Sequence, residues 1–433
     1  MTSTFFNYNK FCNWLFVIRS LAIILWYYIC YSFGMEENKC LSKLTYSLAN
    51  INVFYIKLFQ ALSTNTFLFT SSQISLMTKY TENVPYSIDD IDTGFFDTLE
   101  SIGEEHPEYK VYIHSNPCKS GTVALVYEGT MNNKKVVVKV VRKNILSKII
   151  DSLNKFDLLI RVISNIYSLN NLGVQDILNE NRKLMLEQIN FSNELANATR
   201  LAENFANVED IIVPNVYPIF TDRNANMIVM DYVEGLTIDE IDKDDTCDYA
   251  NIFARFAVKC VFFDRFYHAD MHPGNIRFIK CENTLFDTKN QKKIGILDFG
   301  IMGELTKEEQ SAAYNSSIYI TNCDWNNLAI LLLDHYIEPI AIVKNMTTDI
   351  RNQLIADLVD TFSLPDWGSF SPDDLYKASL ILKNYNLSIK KTFCKLELAM
   401  CISSSVHNTL GTETDFKDAM KNAINLQNSI WEY

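Results

Sequence analysis

The stretch "FYHADMHPGNIRFI", residues 266–279, brings four polar side chains within eight positions: His268, Asp270, His272 and Asn275. If the stretch is a strand, the two histidines and the aspartate alternate onto one face, where they can act as three metal ligands. If it is a loop, Asp270 and Asn275 have the spacing of the protein-kinase catalytic loop, in which the aspartate accepts the substrate proton and the asparagine holds magnesium. The Pro-Gly-Asn at its centre also suits a plain polar turn, so this stretch alone leaves all three interpretations open.

Composition limits the class of protein. The chain has 433 residues, of which 48% are hydrophobic and 12% aromatic, so we expect two or three globular domains rather than disorder. A formal net charge of −13 provides no basic surface for phosphodiester backbones, which argues against nucleic acid as a partner. The ten cysteines include no Cys-x-x-Cys pair, and we interpret them as reduced thiols of an intracellular protein.

The N-terminal residues 11–33, "FCNWLFVIRSLAIILWYYICYSF", are apolar over roughly the length that spans a bilayer. Asn13 and Arg19 interrupt the segment, and no small-residue cleavage site follows it, which disfavours a removed signal peptide. An interfacial helix, a helix docked on the rest of the protein and a single membrane span all remain open. Membrane association through this segment and docking on the rest of the protein are thus equal alternatives.

The pattern of the remaining chain predicts elements of both types. Residues 36–75 and 145–207 have helical periodicity, and "TVALVYEGTMNNKKVVVKVV", residues 122–141, predicts a β-hairpin with a polar turn. Two apolar strands with a connector follow, and beyond Gly235 the chain is mostly helical outside 266–300. We therefore divide the chain into a hydrophobic N-terminal segment, a helical extension, a β-rich N-lobe and a helical C-lobe, at residues 1–35, 36–115, 116–232 and 233–433.

One charged residue in the hairpin connects these elements to the opening stretch. Lys139 lies in "VVVKV", where a lysine facing the core is costly unless it is paired, and Glu194 on the following predicted helix is a candidate partner. Downstream, an apolar strand ends in "LDFG", which contains Asp298. This is the order of the kinase phosphotransfer site, in which the lysine and magnesium ions neutralise ATP phosphates. It predicts Asp270 as the base, with Asn275 and Asp298 as magnesium ligands.

The sequence also resembles a known family, the UbiB or aarF-domain-containing atypical kinases linked to coenzyme Q biosynthesis. The family's "HADPHPGN" and "LDFG" are similar to "HADMHPGN" and "LDFG" here, and the resemblance extends over roughly residues 40–415. It implies an α+β, protein-kinase-like fold with a small β-rich N-lobe, a helical C-lobe and a helical N-terminal extension folded over the active site.

The resemblance also implies further site residues. The family's Lys-x-Gly-Gln signature is similar to "KLFQ", which gives Lys57 and Gln60, and its Glu-Ala-x-Asn motif is similar to "NELAN", which gives Glu194 and Asn197. Its alanine-rich nucleotide loop is similar to "PCKSGTVALVYEG". With Lys139, the nucleotide-binding residues implied by this loop are Ser120, Gly121 and Thr122.

Three departures from the family pattern stand out. Phe59 replaces the glycine of the signature. Gln188 and Asn190 replace both carboxylates of the Glu-x-Asp that faces the signature lysine, so Lys57 loses its expected counter-charges. In the nucleotide loop, Cys118, Lys119, Ser120 and Gly121 stand where the family shows alanines. Gly121 makes the loop more similar to an ordinary kinase glycine loop, which predicts an altered nucleotide preference.

Together these patterns predict an enzyme that uses Mg-ATP or Mg-ADP, with nucleotide and a lipid or membrane surface as partners. We expect an atypical kinase or ATPase that acts on a small or lipid-like substrate, or that couples ATP hydrolysis to membrane isoprenoid or quinone metabolism. Two alternatives belong to other classes: a nucleotide-binding pseudokinase scaffold, and a metallohydrolase built on His268, Asp270 and His272.

Overall fold

The computed structural model forms two compact units. The sheet unit comprises Met1–Leu195 and Val216–Tyr232, and the helical unit comprises Ala196–Asn215 and Val233–Tyr433. The four-part division made from the sequence stays a prediction. The residues that the structure describes are 2–52, 54–56, 84–166, 182, 185–280, 291–364, 372–411 and 416–431.

The helices and strands are numbered in chain order. The helices are α1 Thr2–Ser32, α2 Glu37–Ile51, α3 Gly94–Glu105, α4 Ile145–Ile166, α5 Phe191–Asn204, α6 Pro218–Arg223, α7 Thr246–Val258, α8 Lys307–Thr321, α9 Trp325–His335, α10 Ile340–Asn345, α11 Thr348–Phe362, α12 Pro372–Asn384, α13 Lys391–Thr409 and α14 Phe416–Trp431. The strands are β1 Val111–Ile113, β2 Lys119–Ser120, β3 Ala124–Met131, β4 Lys134–Val141, β5 Ile211–Ile212, β6 Met227–Asp231, β7 Phe266–His268, β8 Ile276–Lys280, β9 Lys292–Ile296, β10 Met302–Glu304, β11 Ile337–Glu338 and β12 Ser388–Ile389.

The sheet unit contains an antiparallel sheet with strand order β1–β3–β4–β6, and β2 also pairs with β3. The hairpin predicted over residues 122–141 is confirmed as β3 and β4. Asn132 and Asn133 form its two-residue turn with φ of 49° and 63°. Positive φ at both turn residues matches the right-handed twist of the flanking strands, and asparagine tolerates it.

Strand β4 has two different faces because its side chains alternate. Val136, Val138 and Val140 are buried in a cluster with residues of α3 and α6. Val141 lies on the other face, in a second buried cluster that includes residues of α4 and α5. The alternation places Lys139 on this second face, beside the helices that follow the hairpin in the chain.

Helix α1 is docked on the sheet unit by one of its faces. Its Phe16 ring lies 5.7 Å from Tyr55 and 5.6 Å from Phe156 of α4, and those two rings are 4.8 Å apart. The buried Tyr55 hydroxyl donates to Ser20 Oγ at 2.7 Å. Of the three interpretations made from the sequence, the docked helix therefore describes this face of α1. The helix is also long and apolar enough to cross a membrane.

The helical unit surrounds the opening stretch with short sheets. Strand β9 pairs in parallel with β5 and antiparallel with β8, while β7 pairs antiparallel with β10. Helix α7 continues into a π-helical turn over Lys259–Phe263 and packs against α13 and α14. The helical body with strands in 266–300 agrees with the sequence pattern, whereas β10, β11 and β12 were not predicted.

One predicted helical segment differs from the structure. Residues 179–205 have continuous helical periodicity, but a turn at Gln188–Ile189 precedes α5. The Oδ1 of Asn190 accepts hydrogen bonds from the backbone N–H groups of Ser192 and Asn193 at 3.1 and 3.4 Å. Asparagine is a favoured N-cap, so local capping ends the periodic segment and starts a new helix.

Replacing Phe156 with alanine is expected to lower the free energy of unfolding by about 3–5 kcal/mol, because the lost ring leaves a cavity beside Phe16 and Tyr55. Urea denaturation followed by tryptophan fluorescence measures this loss. The control is Ile88→Ala, at a side chain that is 79% exposed, which should change stability by no more than about 0.5 kcal/mol. Equal losses in both variants would contradict the docked arrangement.

Candidate active site

Lys139 of β4 and Glu194 of α5 form an ion pair in the sheet unit. Lys139 Nζ lies 2.7 Å from Oε1 and 3.0 Å from Oε2 of Glu194, whose side chain is only 2% exposed. The ammonium also lies 5.5 Å from the centre of the Phe191 ring. Both oxygens of the buried carboxylate thus hold the lysine, which gives the ammonium a defined direction. The structure brings these two predicted residues together.

The candidate nucleotide loop, residues 120–124, connects β2 to β3. The hydroxyl of Ser120 donates to the Val84 carbonyl at 2.6 Å and accepts from Arg142 at 2.7 Å, so it is engaged within the protein. Thr122 is buried as well. A Cβ built at Gly121 would meet only the Ala124 carbonyl, at 3.5 Å, so this glycine is not sterically required. The contribution of Ser120 to nucleotide binding stays a prediction.

Asp270 and Asn275 lie in a loop of the helical unit, as the kinase interpretation of the opening stretch predicts. Strand β7 ends at His268, and a short 3-10 turn covers Pro273–Asn275. Asn275 Nδ2 donates to the Asp270 carbonyl at 2.9 Å, which fixes the asparagine across the loop. The backbone N–H of Leu297 donates to the Asn275 carbonyl at 3.0 Å and so joins the loop to the end of β9.

His268 links the two aspartates of this unit. Its Nδ1 accepts from the Asp270 backbone N–H at 3.1 Å, which assigns the proton to Nε2, and Nε2 donates to the Asp298 carbonyl at 2.7 Å. Burial lowers the pKa of His268, and the charges of Asp298 and Asp270 oppose this shift. The residue is a neutral connector rather than an acid or a base.

These contacts leave the metallohydrolase alternative without geometric support. The strand ends at His268, so the alternation assumed for three ligands does not continue, and both ring nitrogens of His268 are engaged with the backbone. His272 Nδ1 accepts from the Gly274 N–H at 3.1 Å. Among the residues that the structure describes, no group of three or more His, Cys, Asp and Glu side chains is placed to hold a metal ion.

Asp298 follows β9, and its Oδ1 accepts from the Gly300 N–H at 2.8 Å. The next residue, Phe299, is fully buried, and its carbonyl accepts from Asn197 Nδ2 of α5 at 2.8 Å. The carboxylate of Asp298 and the carboxamide oxygen of Asn275 are hard oxygen donors, the ligands that magnesium prefers. The donor chemistry of the helical unit therefore fits a magnesium ion.

Two residues of α5 have contacts that the sequence analysis did not assign. The family resemblance points to Asn197 but implies no role for it. Arg200 was not identified, yet its guanidinium pairs with Glu304 of β10 at 3.0 Å and lies 4.2 Å from the centre of the Phe266 ring of β7. Glu194, Asn197 and Arg200 recur every three residues and therefore lie along one face of α5. This spacing is the sequence signal that could have identified Asn197 and Arg200.

The remaining predicted residues divide between capping and the undescribed part of the chain. Lys57, Phe59 and Gln60 lie outside the described residues. Gln188 is half-buried in the turn before α5, and Asn190 is the N-cap of that helix. Asparagine caps a helix about as well as aspartate, so this cap does not need a charged residue.

Replacing Lys139 with methionine is expected to lower the free energy of unfolding by about 3–5 kcal/mol, because the buried Glu194 carboxylate keeps its charge without the ammonium. Adding Glu194→Gln should recover most of this loss, since it removes the charge as well. Denaturant unfolding of the single and double variants without nucleotide measures the coupling. A double variant less stable than Lys139→Met would contradict the pairing.

Comparisons with known proteins found similar solved structures and a matching family model. The Rv3197 protein of Mycobacterium tuberculosis, in complex with erythromycin, is 13% identical, with 84% of this chain and 90% of that chain covered and a TM-score of 0.47. The Rio2 kinase of Chaetomium thermophilum, in its ADP/Mg2+-phosphoaspartate complex, is 11% identical (76% and 95% covered, TM-score 0.29), and a second Rio2 structure from that organism is 13% identical (86% and 96% covered, TM-score 0.31). The model of the ABC1 atypical kinase-like domain matches residues 99–332, more than half of the chain. The protein therefore belongs to the ABC1 atypical kinase-like family, the UbiB or aarF domain family, and has its two-lobed α+β kinase-like fold.

Proposed function

We propose that the protein is an atypical kinase or ATPase that uses Mg-ATP and acts on a small or lipid-like substrate, or couples hydrolysis to membrane isoprenoid or quinone metabolism. The observation that carries this proposal is the ordered set of Asp270, Asn275 and Asp298 around the neutral His268. The Lys139–Glu194 pair supports it from the sheet unit.

Each residue has a distinct role in this proposal. Lys139, aimed by Glu194, binds and orients the nucleotide phosphates. Asp298 and the carboxamide oxygen of Asn275 hold magnesium, which when bound neutralises charge on the phosphates. Asp270 accepts the proton of the attacking hydroxyl or water as the oxygen bonds to the terminal phosphorus and ADP leaves. Catalysis is then mainly alignment and charge stabilisation, with no covalent intermediate on the protein.

A nucleotide-binding pseudokinase is the alternative that one observation favours. At the family's Glu-x-Asp position, Gln188 and Asn190 carry no charge, and the side-chain oxygen of Asn190 is engaged in capping α5. Asn190 therefore has a structural role here, whereas the pair of carboxylates of the family's site is lost. A scaffold would bind nucleotide through Lys139 and Asp298 without turnover.

The outer face of α1 supports the lipid part of the proposal. While Phe16 and Val17 are buried, large apolar side chains at helical spacing on the other side are exposed, among them Trp14 at 50% and Trp26 at 61%. Residues 1–35 contain no Asp or Glu. A helix docked by one face, with tryptophan and aliphatic side chains on the other, suits the interface of a bilayer. The other exposed members of this face include Phe11, Leu15, Ile18, Leu25 and Ile29.

Mg-ATP or Mg-ADP is expected to raise the melting temperature of the purified protein, because a ligand that binds the native state stabilises it by about 2.7 kcal/mol at a hundred times its Kd. Asp298→Asn should remove the dependence of this shift on magnesium. Asp270→Asn should keep the shift and lower ATP turnover by about 10²- to 10⁴-fold. A wild-type shift without turnover, with or without liposomes, would favour the pseudokinase, and no shift with any nucleotide would refute both.

Replacing Trp14, Ile18, Leu25 and Trp26 together with glutamine is expected to reduce flotation with phosphatidylcholine/phosphatidylserine vesicles, because each change removes an exposed apolar side chain. The nucleotide-induced thermal shift should remain. Ile340→Gln with Leu380→Gln, which changes exposed side chains of the helical unit, is the control and should float like the wild type. Unchanged flotation of the fourfold variant would exclude this face as the lipid contact.

A further inference from the structure

Arg142, directly after β4 and three residues beyond Lys139, is a buried arginine whose side chain is 4% exposed. Its Nη1 donates to the Pro85 carbonyl at 3.1 Å and lies 3.4 Å from Asp90 Oδ2. Arg142 therefore reaches from the strand that carries Lys139 to residues 84–90, within the predicted helical extension.

The second terminal nitrogen of Arg142 closes a triangle of hydrogen bonds. Nη2 donates to the Val84 carbonyl at 3.2 Å and to Ser120 Oγ at 2.7 Å, while the Ser120 hydroxyl itself donates to the same Val84 carbonyl at 2.6 Å. In addition, the Val84 N–H donates to the Ser120 carbonyl at 2.8 Å. Val84 and Ser120 are thus held together by both backbone and side chain, with the guanidinium as the shared donor.

The backbone of Arg142 holds the other end of the same loop. Its N–H donates to the Val123 carbonyl at 2.9 Å, and inside the loop the Gly121 N–H donates to the Ala124 carbonyl at 2.9 Å. One residue therefore fixes the candidate nucleotide loop at Ser120 through its side chain and at Val123 through its main chain. The path of the loop is set relative to β4, the strand that presents Lys139.

We propose that Arg142 is a positioning residue for nucleotide binding. It holds the candidate nucleotide loop against residues 84–90, so that the loop backbone and Lys139 bind the same phosphates. This inference rests on the proposed nucleotide-binding function. Ser120 acts through the same network rather than as a ligand, which explains why a polar residue at this position has its hydroxyl turned into the protein.

Arginine is required because of its shape. Two nitrogens of the planar guanidinium, held in a fixed fork, contact Val84, Ser120, Pro85 and Asp90. A lysine ammonium at the end of a flexible stem cannot reproduce these directions. Asp90 has a second partner in Lys148, which is 41% exposed. An Arg142→Lys variant therefore keeps a positive charge near Asp90 while it releases the loop.

The test is the affinity of the full-length protein for Mg-ADP, by calorimetry, and the KM for ATP where turnover is measured. Arg142→Lys and Ser120→Ala are each expected to weaken binding on the order of tenfold, with the effect in KM rather than in kcat. Because both changes break the same triangle, the double variant should be little weaker than either single variant. Hydrogen exchange at Val84 and Gly121 should rise in all three variants.

The matched control is Arg223→Lys, the same chemical change in the same unit. Arg223 pairs with Glu105 at the surface, at 2.6 Å, and the change should leave Mg-ADP affinity unaltered. If Arg142→Lys fails to fold, Ser120→Ala decides alone. Wild-type affinity in Ser120→Ala, or additive losses in the double variant, would overturn the positioning role while the proposed function stands. A wild-type protein that binds no nucleotide would overturn both.

Discussion

The buried ion pair between Lys139 and Glu194 is the interaction on which the candidate site depends. Strand alternation points the lysine toward the helices, and the low exposure of the glutamate makes an absent partner costly. The pair therefore requires α5 to begin where it does, which the Asn190 cap ensures. The same helix continues into the helical unit, where Asn197 holds the Phe299 carbonyl and Arg200 holds Glu304.

In the helical unit, the corresponding constraint is a single neutral histidine. His268 accepts from the Asp270 backbone N–H and donates to the Asp298 carbonyl, so one side chain ties the main chains of the two aspartates together. This geometry needs a neutral imidazole, because a second ring proton would displace the Asp270 N–H. Burial favours that neutral form.

The departures from the family pattern acquire physical meaning in this structure. Asn190 caps α5, a role that aspartate can also fill, and it carries no charge. Around Ser120, by contrast, the polar side chain serves the protein, since its hydroxyl joins Val84 and Arg142. A motif position can thus be retained for folding, for ligand binding or for both, and only the contacts distinguish these cases.

The sequence by itself determined the features that depend on neighbouring residues. The β3–β4 hairpin followed from alternation and an Asn-Asn turn, the loop of Asp270 and Asn275 from their spacing, and the kinase-like order of Lys139, Glu194 and Asp298 from motifs on predicted elements. Periodicity and turn chemistry act within a few residues, so they are readable without a fold. Even the break before α5 was encoded locally, in a capping asparagine that the periodic pattern obscured.

Only the tertiary structure decided which polar groups meet. Val84 is 36 residues from Ser120 and 58 from Arg142, and His268 is 30 residues from Asp298, so no local pattern predicts their hydrogen bonds. The docked face of α1 likewise depends on Tyr55 and Phe156. These contacts form because buried donors and acceptors must find partners when distant segments pack together, and that requirement is satisfied in space rather than along the chain.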